Sequence, residues 1–233
     1  MMQDGAGDRR KMDNTITYIF QVESGVEYRF DIDLDRPALQ GDLPDWTLLE
    51  RDKCPHCPLA AKPGARCPAA ADLVPLVERF SALASIDSVD VRVVRPEFEL
   101  RKHTDTQTAL SALMGLILAT SGCPILNRMR PLAHMHLPFP SETEVVYRIT
   151  SMHVFECFLG GKTPDLKGLE EFFADIEKLN LAFAKRIKRA ITRDASINAL
   201  VLLHSRSMMA SLLIDDNLEK IRAWFRRAPT DTK

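Results

Sequence analysis

The run TITYIFQVESGVEYRFDID, residues 15–33, carries the pattern that decides the fold. Thr15 to Val22 is rich in β-branched and aromatic side chains, and Ser24-Gly25 marks a turn. Val26, Tyr28, Phe30 and Ile32 then alternate with Glu27, Arg29, Asp31 and Asp33. Alternation with period two puts apolar groups on one face of a strand and charges on the other, so this stretch predicts a β-hairpin. Further on, Val89, Val91 and Val93 alternate with Ser88, Asp90 and Arg92, which predicts a third strand stopping at Pro96.

Between the hairpin and that strand the pattern breaks. Residues 37–45 form a loop of prolines, glycine and acids, and residues 46–49 suit a short strand. Residues 53–68 hold four prolines, counting Pro68, and Gly64, so no long regular element survives there. Residues 69–84 read as a helix with Leu73, Leu76, Val77, Phe80 and Leu83 on one face; Pro75 suits its first turn.

After Pro96 the period changes to that of helices. One helix spans residues 105–120 and ends at Ser121-Gly122. A short one follows at 125–129, then a loop at 134–140. Ser141 caps the next helix, with Glu142 and Glu144 at its positive end, and Gly160-Gly161 stops it. Residues 166–192 carry the apolar stripe Leu169, Phe172, Phe173, Ile176, Leu179, Phe183, Ile187 and Ile191; residues 197–213 are apolar on most faces; residues 217–225 close the chain as a basic helix. The expected class is α+β. A flexible leader at 1–14 precedes a subdomain at 15–96, with a small antiparallel sheet of one hairpin and one strand around a Cys-rich loop, and a helical bundle fills 97–228.

The totals exclude some functions. A formal net charge of −1 over 233 residues gives no global attraction to nucleic acid or membrane. No stretch reaches the ~18 apolar residues a membrane span needs, and the first fourteen residues lack the apolar run of an export signal. The expectation is a cytoplasmic protein, where closely spaced cysteines bind metal or do redox work more often than they form disulfides.

Four of the five cysteines are followed by proline: Cys54-Pro55, Cys57-Pro58, Cys67-Pro68 and Cys123-Pro124. Proline fills only ~5% of positions in an average protein, so the pairing asks for a cause. Two thiolates separated by two residues can grip one ion, and Cys67 and Cys123 complete a tetrahedral set. The metal ligands expected are thus Cys54, Cys57, Cys67 and Cys123, with His56, His134 and His136 as alternates. Zn²⁺ is the first reading; a [4Fe–4S] cluster held by the same thiolates is the alternative. Cys-Pro-x-Cys resembles the zinc knuckle of zinc ribbons, with one departure. The usual knuckle has glycine after its second cysteine, and Pro58 cannot supply that N–H. A buried, inert cluster or a redox dithiol are the competing accounts; the prolines argue against a thioredoxin-like motif.

Other chemistry-bearing residues read as structural. His153 and Cys157 stand one helical turn apart and His204 lies within an apolar helix, so core packing suits all three. Lys185, Arg186, Lys188, Arg189 and Arg193, with Arg222, Arg226 and Arg227, suit solvated helix faces offset by Glu170, Glu171, Asp175 and Glu177. No phosphate loop, nucleophile elbow or His-Glu-x-x-His is present. The leading reading is a non-enzymatic regulatory or protein-binding molecule with a structural metal site. A metal-dependent enzyme with His134 or His136 as acid or base is a further alternative. The apolar helix and Met208-Met209 suit a core, a protein partner or a second copy of the chain; nucleic acid and membrane are not expected partners.

Cys-Pro-His-Cys-Pro-Leu, Cys-Pro-Ala-Ala, Ala-Thr-Ser-Gly-Cys-Pro and His-Leu-Pro-Phe together resemble an uncharacterised family of bacterial proteins over residues 15–160. That resemblance implies a bacterial, cytoplasmic setting and no assigned activity.

Overall fold

Strands β1 (Thr15–Val22) and β2 (Glu27–Asp33) pair antiparallel, as their alternation requires, with Tyr18 opposite Phe30. Gly25 makes the turn at φ +81°, a left-handed conformation that costs glycine little. β3 (Ser88–Val94) pairs with the other edge of β1, setting Val91 opposite Phe20. A fourth strand, β4 (Glu99–Asp105), pairs with β3 and completes an antiparallel sheet of order β2-β1-β3-β4. The computed structural model describes residues 14–81, 83–189, 196–201 and 214–226. The leader at 1–13, Ile191, Arg193, His204, Met208-Met209 and Arg227 lie outside these.

β4 is absent from the sequence reading, which begins the helical part directly after Pro96. The cause is its composition. ELRKHTD carries charge on both faces, and the strand is exposed or half-buried along its whole length. An edge strand in water has no apolar face to display, and its Arg101 and Lys102 suit the protection that open edges need.

Only one sheet face is dry. Ile16, Tyr18, Phe20, Phe30, Ile32, Val89, Val91 and Val93 are buried on it. The other face carries ion pairs such as Arg29–Asp31 at 2.9 Å and Arg101–Glu99 at 2.6 Å. Helix α1 (Pro68–Arg79) covers the dry face. Phe80, just past its end, meets Phe20 edge-on at 5.1 Å and stacks on Phe30 at 5.9 Å between ring centroids. The expected helix at 69–84 is corrected at both ends. Pro68 takes the first helical position, where no N–H is needed, and Pro75 sits inside the helix rather than opening it. The short strand expected at 46–49 is instead a 3-10 turn, Asp45–Thr47, followed by a single bridge between Leu48 and Arg66.

α2 (Thr106–Ala119) is capped by Asp105, whose carboxylate accepts from the Thr108 N–H at 2.9 Å, and is buried on most faces. A 3-10 turn (Leu126–Met129) leads into α3 (Arg130–His134). α4 (Glu142–Leu159) opens at Ser141 as expected, and Glu144 goes further than a charge at the positive end: its side chain reaches back to the Ser141 backbone and closes a capping box. α5 (Leu166–Lys188) buries its stripe from Leu169 to Ile187. A helical segment at 196–201 is the described part of the apolar 197–213 stretch, and α6 (Ile214–Phe225) follows. The buried core runs without a break from the sheet into α1, α2, α4 and α5.

Candidate functional site

The cysteine loop is closed at its neck by backbone. The Leu49 N–H donates to the Ala65 carbonyl at 2.7 Å, and the Cys67 N–H donates to Thr47 at 2.8 Å. Within the loop, the Cys57 N–H reaches the Cys54 carbonyl at 3.0 Å, a tight turn that holds the two cysteines on one bend. Lys53 donates from Nζ to the Leu59 carbonyl at 2.7 Å. The neck delivers Cys67 directly to the start of α1.

Cys123 arrives from the far side. α2 ends at Ala119, and Gly122, at φ +70°, reverses the chain. A Cβ built on Gly122 would stand 4.0 Å from the Pro68 side chain, so the two Cys-Pro pairs of residues 67–68 and 123–124 lie against each other. Arg36 fixes this corner. Its guanidinium donates to the Ile117 carbonyl and the Thr120 hydroxyl at the end of α2, and pairs at 3.0 Å with buried Asp72 of α1.

All five cysteines are free thiols, and Cys54, Cys67 and Cys123 are buried. Cys54 lies within direct charge–charge range of Cys67, Cys123 and Cys57; Cys67 feels Cys123; Cys123 feels Cys57. The four Cys-Pro cysteines therefore share one neighbourhood, drawn from the loop, the start of α1 and the end of α2. Cys157, the one without proline, is elsewhere, 3.7 Å from His153 Nε2 on α4. Burial in low-dielectric surroundings pushes the Cys54 thiol up to about 12, and the neighbouring thiols push the same way. Burial also raises Cys67 and Cys123. Such thiols stay protonated at neutral pH and are poor nucleophiles.

Backbone dipoles oppose that burial. The N–H groups of Ala70 and Ala69 favour the Cys67 thiolate, and those of Leu126 and Ile125 favour Cys123. At Cys67 they approach without closing to a cap hydrogen bond of ordinary geometry. The recurrence of proline follows from this arrangement. At both sites the residue after the cysteine is proline, which has no donor to orphan. The next two residues then turn their N–H groups toward the sulfur. Pro58 removes the donor a zinc knuckle would use, and Cys67 and Cys123 acquire donors instead.

Arg186 is the residue the sequence reading misplaced. Expected on a solvated face, it is fully buried. Its Nη1 donates to the carbonyls of Trp46 at 2.7 Å and Leu48 at 2.6 Å, and its Nη2 to Asp52 at 3.3 Å. The guanidinium thus clamps the entrance of the cysteine loop from α5, and its charge favours the thiolates of Cys54 and Cys67. Beside it Arg189 pairs with Asp52 at 2.9 Å. A signal was present: Arg186 falls three residues after Phe183 and seven after Leu179, on the apolar stripe itself.

The histidines divide. Both ring nitrogens of His56, between Cys54 and Cys57, are buried with no hydrogen-bond partner among the described residues. His134 is exposed at the end of α3. His136 Nε2 lies 2.6 Å from the Tyr18 hydroxyl. Burial lowers the His136 pKa to about 3, helped by Arg148 and Arg95, so the ring is neutral and a poor acid at neutral pH. Among the described residues, no group of three or more His, Cys, Asp or Glu side chains already stands in a metal-ligating arrangement.

The model of the Domain of unknown function DUF6901 matches residues 16–226. The chain belongs to this family. No curated protein and no solved structure matches it. The family therefore supplies no activity, and no helix among the described residues is long and apolar enough to cross a membrane.

Proposed function

We propose that this DUF6901 protein is a non-enzymatic molecule whose Cys54, Cys57, Cys67 and Cys123 hold one structural zinc ion, tying the loop to the ends of α1 and α2. One observation carries the reading. Cys54 lies within electrostatic range of Cys57, Cys67 and Cys123, drawn from three separate segments; Cys54, Cys67 and Cys123 are buried, and backbone N–H groups turn toward two of them. Four sulfur donors suit Zn²⁺, and a closed four-ligand site leaves no position for a substrate. Loading requires the thiols to lose their protons and to rotate inward from the arrangement described above. Arg186 offsets part of the negative charge that four thiolates would carry. His56, with both nitrogens unpartnered, is the substitute ligand should one cysteine stay out.

Elemental analysis of anaerobically purified protein tests this, with Cys123→Ser beside it. One zinc per chain, colourless, and lost or weakened in Cys123→Ser is expected. Iron with visible absorption would replace zinc by the cluster reading. Metal-free protein whose melting temperature ignores added zinc would overturn both.

A further inference from the structure

A second site lies away from the cysteines, in a cleft of about 150 Å³ between α2, the α3 region and α4. Its walls are mostly apolar: Ala112 and Leu116 on one side, Leu132 and Phe139 on another, and Ile149 on α4. A cavity of this size takes a six-membered ring, as engineered apolar cavities of about 150 Å³ bind benzene.

Three polar groups interrupt the apolar lining. Ser111 is 1% exposed, yet its hydroxyl has no partner among the described residues. A buried hydroxyl without a hydrogen bond is costly, so the Ser111 hydroxyl is a donor with room for a partner. His136 also lines the cleft. Its Nε2 meets the buried Tyr18 hydroxyl at 2.6 Å, so one of its two ring nitrogens is already engaged. The third group is Arg148. Among the described residues only its Nη2 is bonded, to the Leu132 and Met135 carbonyls, and no carboxylate forms an ion pair with it. Burial disfavours its charge, and Glu144 compensates only in part. Three polar groups therefore surround one apolar slot, two of them donors, and the single full charge among them is positive.

We propose that this cleft binds a small monocarboxylate with an apolar body about the size of one aromatic ring. The ring fills the space between Ala112, Leu116 and Phe139. The carboxylate neutralises the Arg148 guanidinium and accepts from the Ser111 hydroxyl. A neutral analogue of the same shape fills the slot but leaves the guanidinium uncompensated. Charge is thus what separates the two ligands, while shape is what admits either.

The probe is benzoate, titrated into the full-length protein and followed by calorimetry or protein NMR, with benzyl alcohol as the neutral control. Saturable benzoate binding, about tenfold tighter than benzyl alcohol, is expected; tenfold is one factor of 1.4 kcal/mol. Arg148→Gln removes the preference while benzyl alcohol still binds. Ser111→Ala weakens benzoate several-fold. Ala112→Leu fills the slot and abolishes both ligands; Ala119→Leu on the same wall serves if that variant does not fold. Three results overturn the proposal: no saturation by benzoate up to about 10 mM, a value corresponding to less than about 3 kcal/mol of binding; equal affinity for the alcohol; or benzoate binding unchanged by Arg148→Gln and by the filling variant.

Discussion

Replacing Arg186 by methionine keeps the length and apolar volume of the side chain and removes its guanidinium. The wild-type group donates to three carbonyls, of Trp46, Leu48 and Asp52, at the mouth of the cysteine loop. Each hydrogen bond from a charged donor contributes about 1.5–3 kcal/mol, and three acceptors lose theirs. Removing a buried guanidinium also recovers its desolvation cost, which offsets roughly half of that sum. The net expectation is a loss of about 2–5 kcal/mol, a large share of the 5–15 kcal/mol that holds a typical domain. With a urea slope of about 2–3 kcal/mol/M for a chain of this size, the midpoint drops by about 0.7–2.5 M. Urea unfolding followed by circular dichroism reads this directly, and the slope should stay unchanged. Arg186→Lys should recover less than half of the loss, because one ammonium cannot span three carbonyls. A midpoint shift of Arg186→Met below about 0.3 M, under 1 kcal/mol by the same slope, would refute the clamp and return Arg186 to a passive role.

Other measurements bear on the remaining features. In zinc-free protein, stability should hold below pH ~9 and fall as pH rises toward about 12. The unfolded chain ionises its thiols first, while burial keeps Cys54, Cys67 and Cys123 protonated in the fold. Buried Tyr18 adds to this alkaline loss, so the difference between zinc-free and zinc-loaded protein isolates the thiol share. On the acid side His136 works in the opposite sense. Its folded pKa lies below the unfolded value of 6.5, so its contribution is present above pH ~6.5 and lost as pH falls toward about 3. His136→Gln should flatten that limb of a melting-temperature curve. Tyr18→Phe removes the phenol that pairs with His136 at 2.6 Å and should cost about 1–3 kcal/mol in urea unfolding. Ser141→Ala removes the capping box of α4 and should cost about 1 kcal/mol by the same measurement.

How much of this was legible in the residues depended on whether one element or several carried the signal. The hairpin was, because residues 15–33 alternate between a dry and a wet face. The cap at Ser141 was, because capping is settled by neighbours three residues apart. β4 was not, because an edge strand with charge on both sides has no period to read. The helix expected from Ala69 begins one residue earlier, because Pro68 fills the first position, where a missing N–H is no loss. The Cys-Pro pairs at 67–68 and 123–124 are plain in the sequence, but what the proline does there is set by the backbone N–H directions of the two residues after it. Arg186 was misread because a basic run looks solvated unless it is laid on the stripe of its own helix. The Ser111 cleft left no trace in sequence, since its walls come from α2, α4 and the residues between them.

The clamp from α5 has a consequence for how the molecule is made. Translation proceeds at about 5–20 residues per second, so the ribosome adds Arg186 roughly 3–12 s after Cys123, about 60 residues earlier. During those seconds the nascent chain carries its Cys-Pro cysteines with no guanidinium to fasten the loop that presents them. Any metal ion or oxidant that reaches these sulfurs in that interval meets an unfinished chain, before α5 arrives to fasten the loop.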